Sequence, residues 1–185
     1  MVPLDVRREL WAWYYGMRAF MHCQACCEHI LKEKLDDPHP LFYPLSVGAT
    51  INYGRPFRKS YGMPTLGEEI VPARYSVVHE MVMLIRDRLH AHTDADRTAY
   101  PGQITVDVLL GVTATHREFK LVEAIIKPKA FENLNGLCKI LVDKTSYHMD
   151  KLYKRYQKEL PIDIGEYRIG LDPNGPDFIK LPLRS

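Results

Sequence analysis

Apolar residues in the first 34 positions return every three or four places, and this spacing restricts the fold more than any other feature of the chain. Leu10, Trp13, Met17, Phe20, Met21, Cys27 and Ile30 lie on one stripe of a helix, and Trp11, Tyr14 and Tyr15 widen it, so the helix needs more than one neighbour. Asp5, behind Pro3, is the expected N-cap. Asp36-Asp37-Pro38-His39-Pro40 ends the segment, since proline disfavours helix at itself and at the residue before. The spacing therefore predicts a helix from Asp5 to about Lys34.

The remainder follows the same pattern with one break. A second helix is predicted from about Tyr43 to Arg55, ending at Pro56, with Gly48 and Ala49 permitting close packing. Phe57 to Pro72 reads as a loop. A third helix begins near Ala73 and buries Val78, Met81, Val82, Ile85 and Leu89. Thr93 to Gly102 is polar and turn-rich. Between Gln103 and Ile126 the period drops to two: Ile104, Val106 and Val108 alternate with polar residues, as do Phe119 and Leu121, which suggests a hairpin turning at Gly111 to His116. The second half of that stretch also fits a helix. The last helix runs from about Lys129 to Lys158, with Leu134, Leu137, Leu141 and Leu152 on one face, and Pro161 ends it. Two short strands then flank the turn Asp172-Pro173-Asn174-Gly175-Pro176. The expected fold is mainly α, an up-and-down four-helix bundle with a small β-hairpin insertion, about 103–126, between helices 3 and 4. Residues 1–160 form the bundle, and 161–185 are a C-terminal extension packed on the same domain.

Composition narrows the functional classes. At 185 residues and 46% hydrophobic, the chain suits one domain with a sizeable core. The formal charge of +2 offers no global basic field, so any contact with nucleic acid must be made by a local cluster of Arg and Lys. No apolar run reaches the roughly 18 residues of a membrane span, and the first residues lack a signal-peptide pattern. Four cysteines, three of them crowded together, do not resemble a secreted disulfide framework. The expectation is a soluble cytoplasmic protein without membrane association.

The third helix ends in a knot of polar groups, Arg86-Asp87-Arg88-Leu89-His90-Ala91-His92-Thr93-Asp94. Arginine presents a planar fork suited to phosphate oxygens, histidine exchanges protons near neutral pH, and Asp87 is placed to orient either. A simpler reading is that cations collect at a helix C-terminus because the dipole favours them there. On a straight helix, at about 100° per residue, Arg86 and His90 share a face while His92 lies well round the barrel. Arg86 and His92 meet only if the helix loses regularity near Ala91, or if a second subunit brings its copy across a two-fold axis.

Arg86-Asp87, followed after four residues by His92 and the ending Ala91-His92-Thr93-Asp94, resembles the signature of the HEPN (higher eukaryotes and prokaryotes nucleotide-binding) superfamily. Ile51-Asn52-Tyr53-Gly54-Arg55-Pro56-Phe57 is similar to the Tyr-x-Arg-x-Phe stretch on the preceding helix of bacterial, abortive-infection-like HEPN proteins. The resemblance implies a helical homodimer formed through the motif helices and, in active members, a metal-independent endoribonuclease of phage defence or toxin–antitoxin systems. Carried onto this chain, Arg86 binds the scissile phosphate, Asp87 orients the site and His92 is the acid/base. Arg55, Tyr53, His90 and Arg88 contact the substrate. RNA, a second copy of the chain and an antitoxin protein are the implied partners, with no cofactor and no metal. The alternative is a non-catalytic HEPN-like domain that binds nucleic acid or nucleotides, or that mediates protein interaction. A third reading is a helical dimer whose polar knot is structural.

Other groupings carry less. Cys23, Cys26 and Cys27 share a helical direction, but Cys138 is the only further cysteine, and core packing explains them better than zinc. No paired Glu-x-x-His of a di-iron bundle, phosphate-cradling glycine loop or nucleophile elbow is present. The basic face of the last helix, with Lys139, Lys144, Lys151, Lys154, Arg155 and Lys158, reads as a solvated surface balanced by Asp143, Asp150 and Glu159. The aromatics of the first helix read as core.

Overall fold

The structure is a computed structural model that describes residues 2–36, 39–59, 64–87, 98–100, 103–104, 106–113, 115–123, 127–163 and 165–182. Among these are four α-helices: α1 (Leu4–Lys32), α2 (Phe42–Gly54), α3 (Ser76–Ile85) and α4 (Pro128–Tyr156). The expected mainly-α class holds, with a hairpin of β3 (Val106–Val112) and β4 (Arg117–Glu123) between α3 and α4. Its register pairs Val106 with Glu123 and Val112 with Arg117, so the turn falls where period-two spacing put it. A short pair, β1 (Thr98–Tyr100) with β2 (Gln103–Ile104), precedes it; β1 falls in the stretch expected to be turns, and β2 at the start of the period-two stretch.

α1 and α4 form the principal packed pair, and α2 lies against α1. α1 starts one residue earlier than expected, after Pro3 and not after an Asp5 cap; Pro3 makes no side-chain cap, and Asp5 sits in the first turn, where a carboxylate favours the dipole. The buried face of α1 is also rotated from the large-residue stripe. It carries Ala12, Gly16, Ala19, Phe20, Cys23, Cys27 and Ile30, while Met21 is exposed. Small side chains let neighbours come close: a Cβ on Gly16 would lie 2.5 Å from Leu66 Cδ1. α4 buries Phe131, Leu134, Leu137, Cys138, Leu141 and Leu152, which includes every leucine expected on its inner face. Cys23, Cys27 and Cys138 are buried free thiols, and burial raises the Cys23 thiol further above its ordinary value.

After α4, β5 (Tyr167–Ile169) and β6 (Phe178–Lys180) pair antiparallel, as the tail predicted. This hairpin docks on the start of α1. Buried Arg7 donates to the Gly170 carbonyl and pairs with Asp177 at 3.4 Å, and the Val2 amide donates to Asp177 Oδ2 at 2.7 Å. Phe178 packs on a small apolar cluster of Val2, Val6 and Leu152. No helix among the described residues is long and apolar enough to cross a membrane.

Candidate functional site

α3 is amphipathic and its regular winding stops at Ile85, earlier than Ala91. Val82, Met83 and Ile85 are buried, and the backbone at Arg86 and Asp87 continues as a wider, π-type turn. Burial of this face carries Arg86 in against the end of α2. There Gly54 makes room for it: a Cβ on Gly54 would meet Arg86 Cδ at 3.1 Å and Met83 Sδ at 3.3 Å.

The Tyr-Gly-Arg-Pro-Phe segment explains itself in three dimensions. Tyr53 and Phe57 are buried and pack with Phe20, with ring centroids 5.5–6.0 Å apart. The Tyr53 hydroxyl is hydrogen-bonded to His79 Nδ1 at 2.7 Å, and the Phe57 ring meets His79 edge-on. Between these anchors the chain makes a short 3-10 helix, Arg55–Phe57, that leaves Arg55 exposed. Tyr53 was expected to contact substrate; it does not line the site, because its ring is fully buried in the core. That burial raises its hydroxyl well above the ordinary phenol value.

Arg55, Arg58, Lys59 and Arg86 line one cleft of about 450 Å³. Asp87 holds two of them together. Arg58 reaches both oxygens of the carboxylate, with Nε to Oδ1 at 3.3 Å and its terminal nitrogen on Oδ2, and Arg86 Nη1 donates to Oδ1 at 2.7 Å. Partial burial alone would raise the Asp87 carboxyl. The hydrogen bonds and charges of Arg58 and Arg86 outweigh it and hold the group below the ordinary carboxylate value. Arg86 Nε is buried without a hydrogen-bond partner among the described residues. Among the described residues, four cations against one carboxylate give a basic cleft on a nearly neutral chain. Such a cleft suits an anion with several oxygens, above all a phosphate. The wall contributed by α1 is aromatic: Trp11 and Tyr15 are stacked with centroids 4.7 Å apart and planes 9° from parallel.

Of the residues proposed from sequence, the structure brings together Arg86, Asp87 and Arg55. His92, His90 and Arg88 lie outside the described residues. Sequence reasoning missed Arg58, Lys59, Trp11 and Tyr15. The first two had a weak signal, a basic pair three residues after Arg55; the aromatics share one helical face at i, i+4 but were absorbed into the core stripe. No protein-family model matches the chain, and no characterised protein or solved structure is significantly similar to it.

Proposed function

We propose that the chain is a metal-independent endoribonuclease of HEPN type, acting as a homodimer in phage defence or as a toxin restrained by an antitoxin protein. The observation that supports this reading is the convergence of Arg86, Arg58 and Arg55 on one cleft, with Asp87 fixing two of the guanidinium planes. In this reading the guanidiniums hold the non-bridging oxygens of a phosphodiester and stabilise the charge that grows at phosphorus. The ribose 2′-hydroxyl is an internal nucleophile, so the chemistry needs no metal to generate one. Its oxygen bonds to phosphorus as the bond to O5′ breaks, leaving a 2′,3′-cyclic phosphate and a 5′-hydroxyl. His92 takes the 2′-hydroxyl proton and the partner subunit's His92 supplies one to O5′, and His90 and Arg88 contact the strand beside it.

The test is cleavage of RNA in the presence of a chelator by the parent, Arg86→Ala and His92→Ala proteins. The parent should cut, and each variant should lose activity by about a hundredfold or more. A 2′-O-methyl strand should be bound and left intact, since it lacks the nucleophile. Binding without cleavage by the parent would favour the non-catalytic alternative. Undiminished cleavage by both variants would place the reaction elsewhere.

A further inference from the structure

The cleft has two unlike walls, one basic and one aromatic. Arg55, Arg58, Lys59 and Arg86 supply charge, whereas Trp11 and Tyr15 on α1 supply two half-buried rings already stacked in parallel. A ligand that is anionic on one side and flat and apolar on the other would engage both walls, which a bare phosphate or an acidic peptide would not. A nucleotide has that form. The cleft volume of about 450 Å³ also falls within the roughly 300–1,000 Å³ range of small-ligand sites.

We infer that Trp11 and Tyr15 form a stacking platform for an unpaired base whose flanking phosphates lie on the basic wall. This rests on the ribonuclease reading and assigns the residues that take the base. A base inside an A-form duplex is already stacked on its neighbours and offers no face to a protein ring; an unpaired base does. The same choice serves the chemistry. Attack by a 2′-hydroxyl needs that oxygen, the phosphorus and O5′ in line, a geometry that a regular duplex withholds and a splayed strand reaches. The Trp11–Tyr15 stack is also preformed, so little ordering is required when a base joins it. The platform tolerates any base, because every base has a π-face.

The test uses a non-cleavable 2′-O-methyl oligonucleotide, single-stranded or in a duplex, and an oligomer of abasic ribose phosphates. In a Trp13→Phe protein, Trp11 is the sole tryptophan, and its fluorescence should be quenched by the single strand and unchanged by the abasic oligomer. Trp11→Leu and Tyr15→Leu should each weaken single-strand binding by about tenfold, Trp11→Phe should recover most of the loss, and the abasic oligomer should bind parent and Trp11→Leu alike. The parent should prefer single strand to duplex by at least tenfold. If Trp11→Leu fails to fold, the quenching, Tyr15→Leu and the duplex comparison still decide. Equal single-strand binding by the aromatic variants, with no quenching, overturns the platform. Should Arg58→Ala and Arg86→Ala still weaken binding in that case, the nuclease reading survives it. Should those two variants also bind as the parent does, both readings fall.

Discussion

Asp87 is the residue on which the arrangement of the basic wall depends, because without it two guanidiniums would face each other across a narrow space. The pair it makes with Arg58 is two-pronged, a geometry that carries more energy than a single exposed contact. Replacing it by asparagine keeps the shape and removes the charge. At pH 7, Asp87→Asn should lower stability by roughly 0.5–1 kcal/mol, the upper part of the range for partly exposed ion pairs. The sign with pH follows from the direction of the shift. The folded-state pKa lies below the unfolded value of about 3.9, so the contribution is complete above that value and is lost as pH falls through the folded one. Urea unfolding of parent and variant at pH 7, 4 and 3 should show the gap closing toward acid. A gap that widens below pH 4 would contradict the assignment.

At the scale of elements, α1 shows what periodicity conveys and what it hides. Its stop is not the proline cluster but Lys34, in a left-handed conformation (φ 52°), with the Leu35 amide reaching back to the Ile30 carbonyl at 2.9 Å and the Lys34 amide to Leu31. Leu35 and Ile30 are both buried, completing the apolar contact of that cap. Glycine is the usual residue there, and a lysine pays the left-handed cost. Lys34→Gly should therefore raise stability by about 0.5–1 kcal/mol after the added freedom of the unfolded chain is deducted, or roughly 1–4 °C in Tm; a lower Tm by calorimetry would refute the cap. The helices and the β3–β4 hairpin were legible because large apolar residues mark their periods. The rotated face of α1 was not, since Ala12, Gly16 and Ala19 give little hydrophobic signal yet are what α1 packs through. In the site, Arg86, Asp87 and Arg55 were legible through their motifs. Arg58 and Lys59 follow in a segment with no period to place them. The fate of Tyr53 depended on His79, 26 residues further along the chain.

For the molecule as a whole, a formal charge of +2 means that, on the proposed reading, an RNA strand would be held by where the cations are and not by how many there are. α4 has the larger number, but several are engaged within the chain. Lys144 donates to the Ile70 carbonyl at 2.9 Å, Lys139 pairs with Glu28 at 3.6 Å, and Lys151 and Arg155 lie over Tyr147 and Tyr156. The cleft, by contrast, sets Arg55, Arg58, Lys59 and Arg86 around one space with, among the described residues, a single carboxylate between them. These two distributions give different salt dependence. For a single strand, the logarithm of the association constant falls with the logarithm of salt at about −0.7 per phosphate neutralised, so four cleft contacts correspond to a slope of about −3. Binding of a 2′-O-methyl single strand across a salt series should give that shallow slope, and Arg58→Ala should reduce its magnitude by about 0.7. A slope near −4 that is indifferent to Arg58 but falls when Lys151, Lys154 and Lys158 are replaced would place binding on the outer face of α4 and not in the cleft.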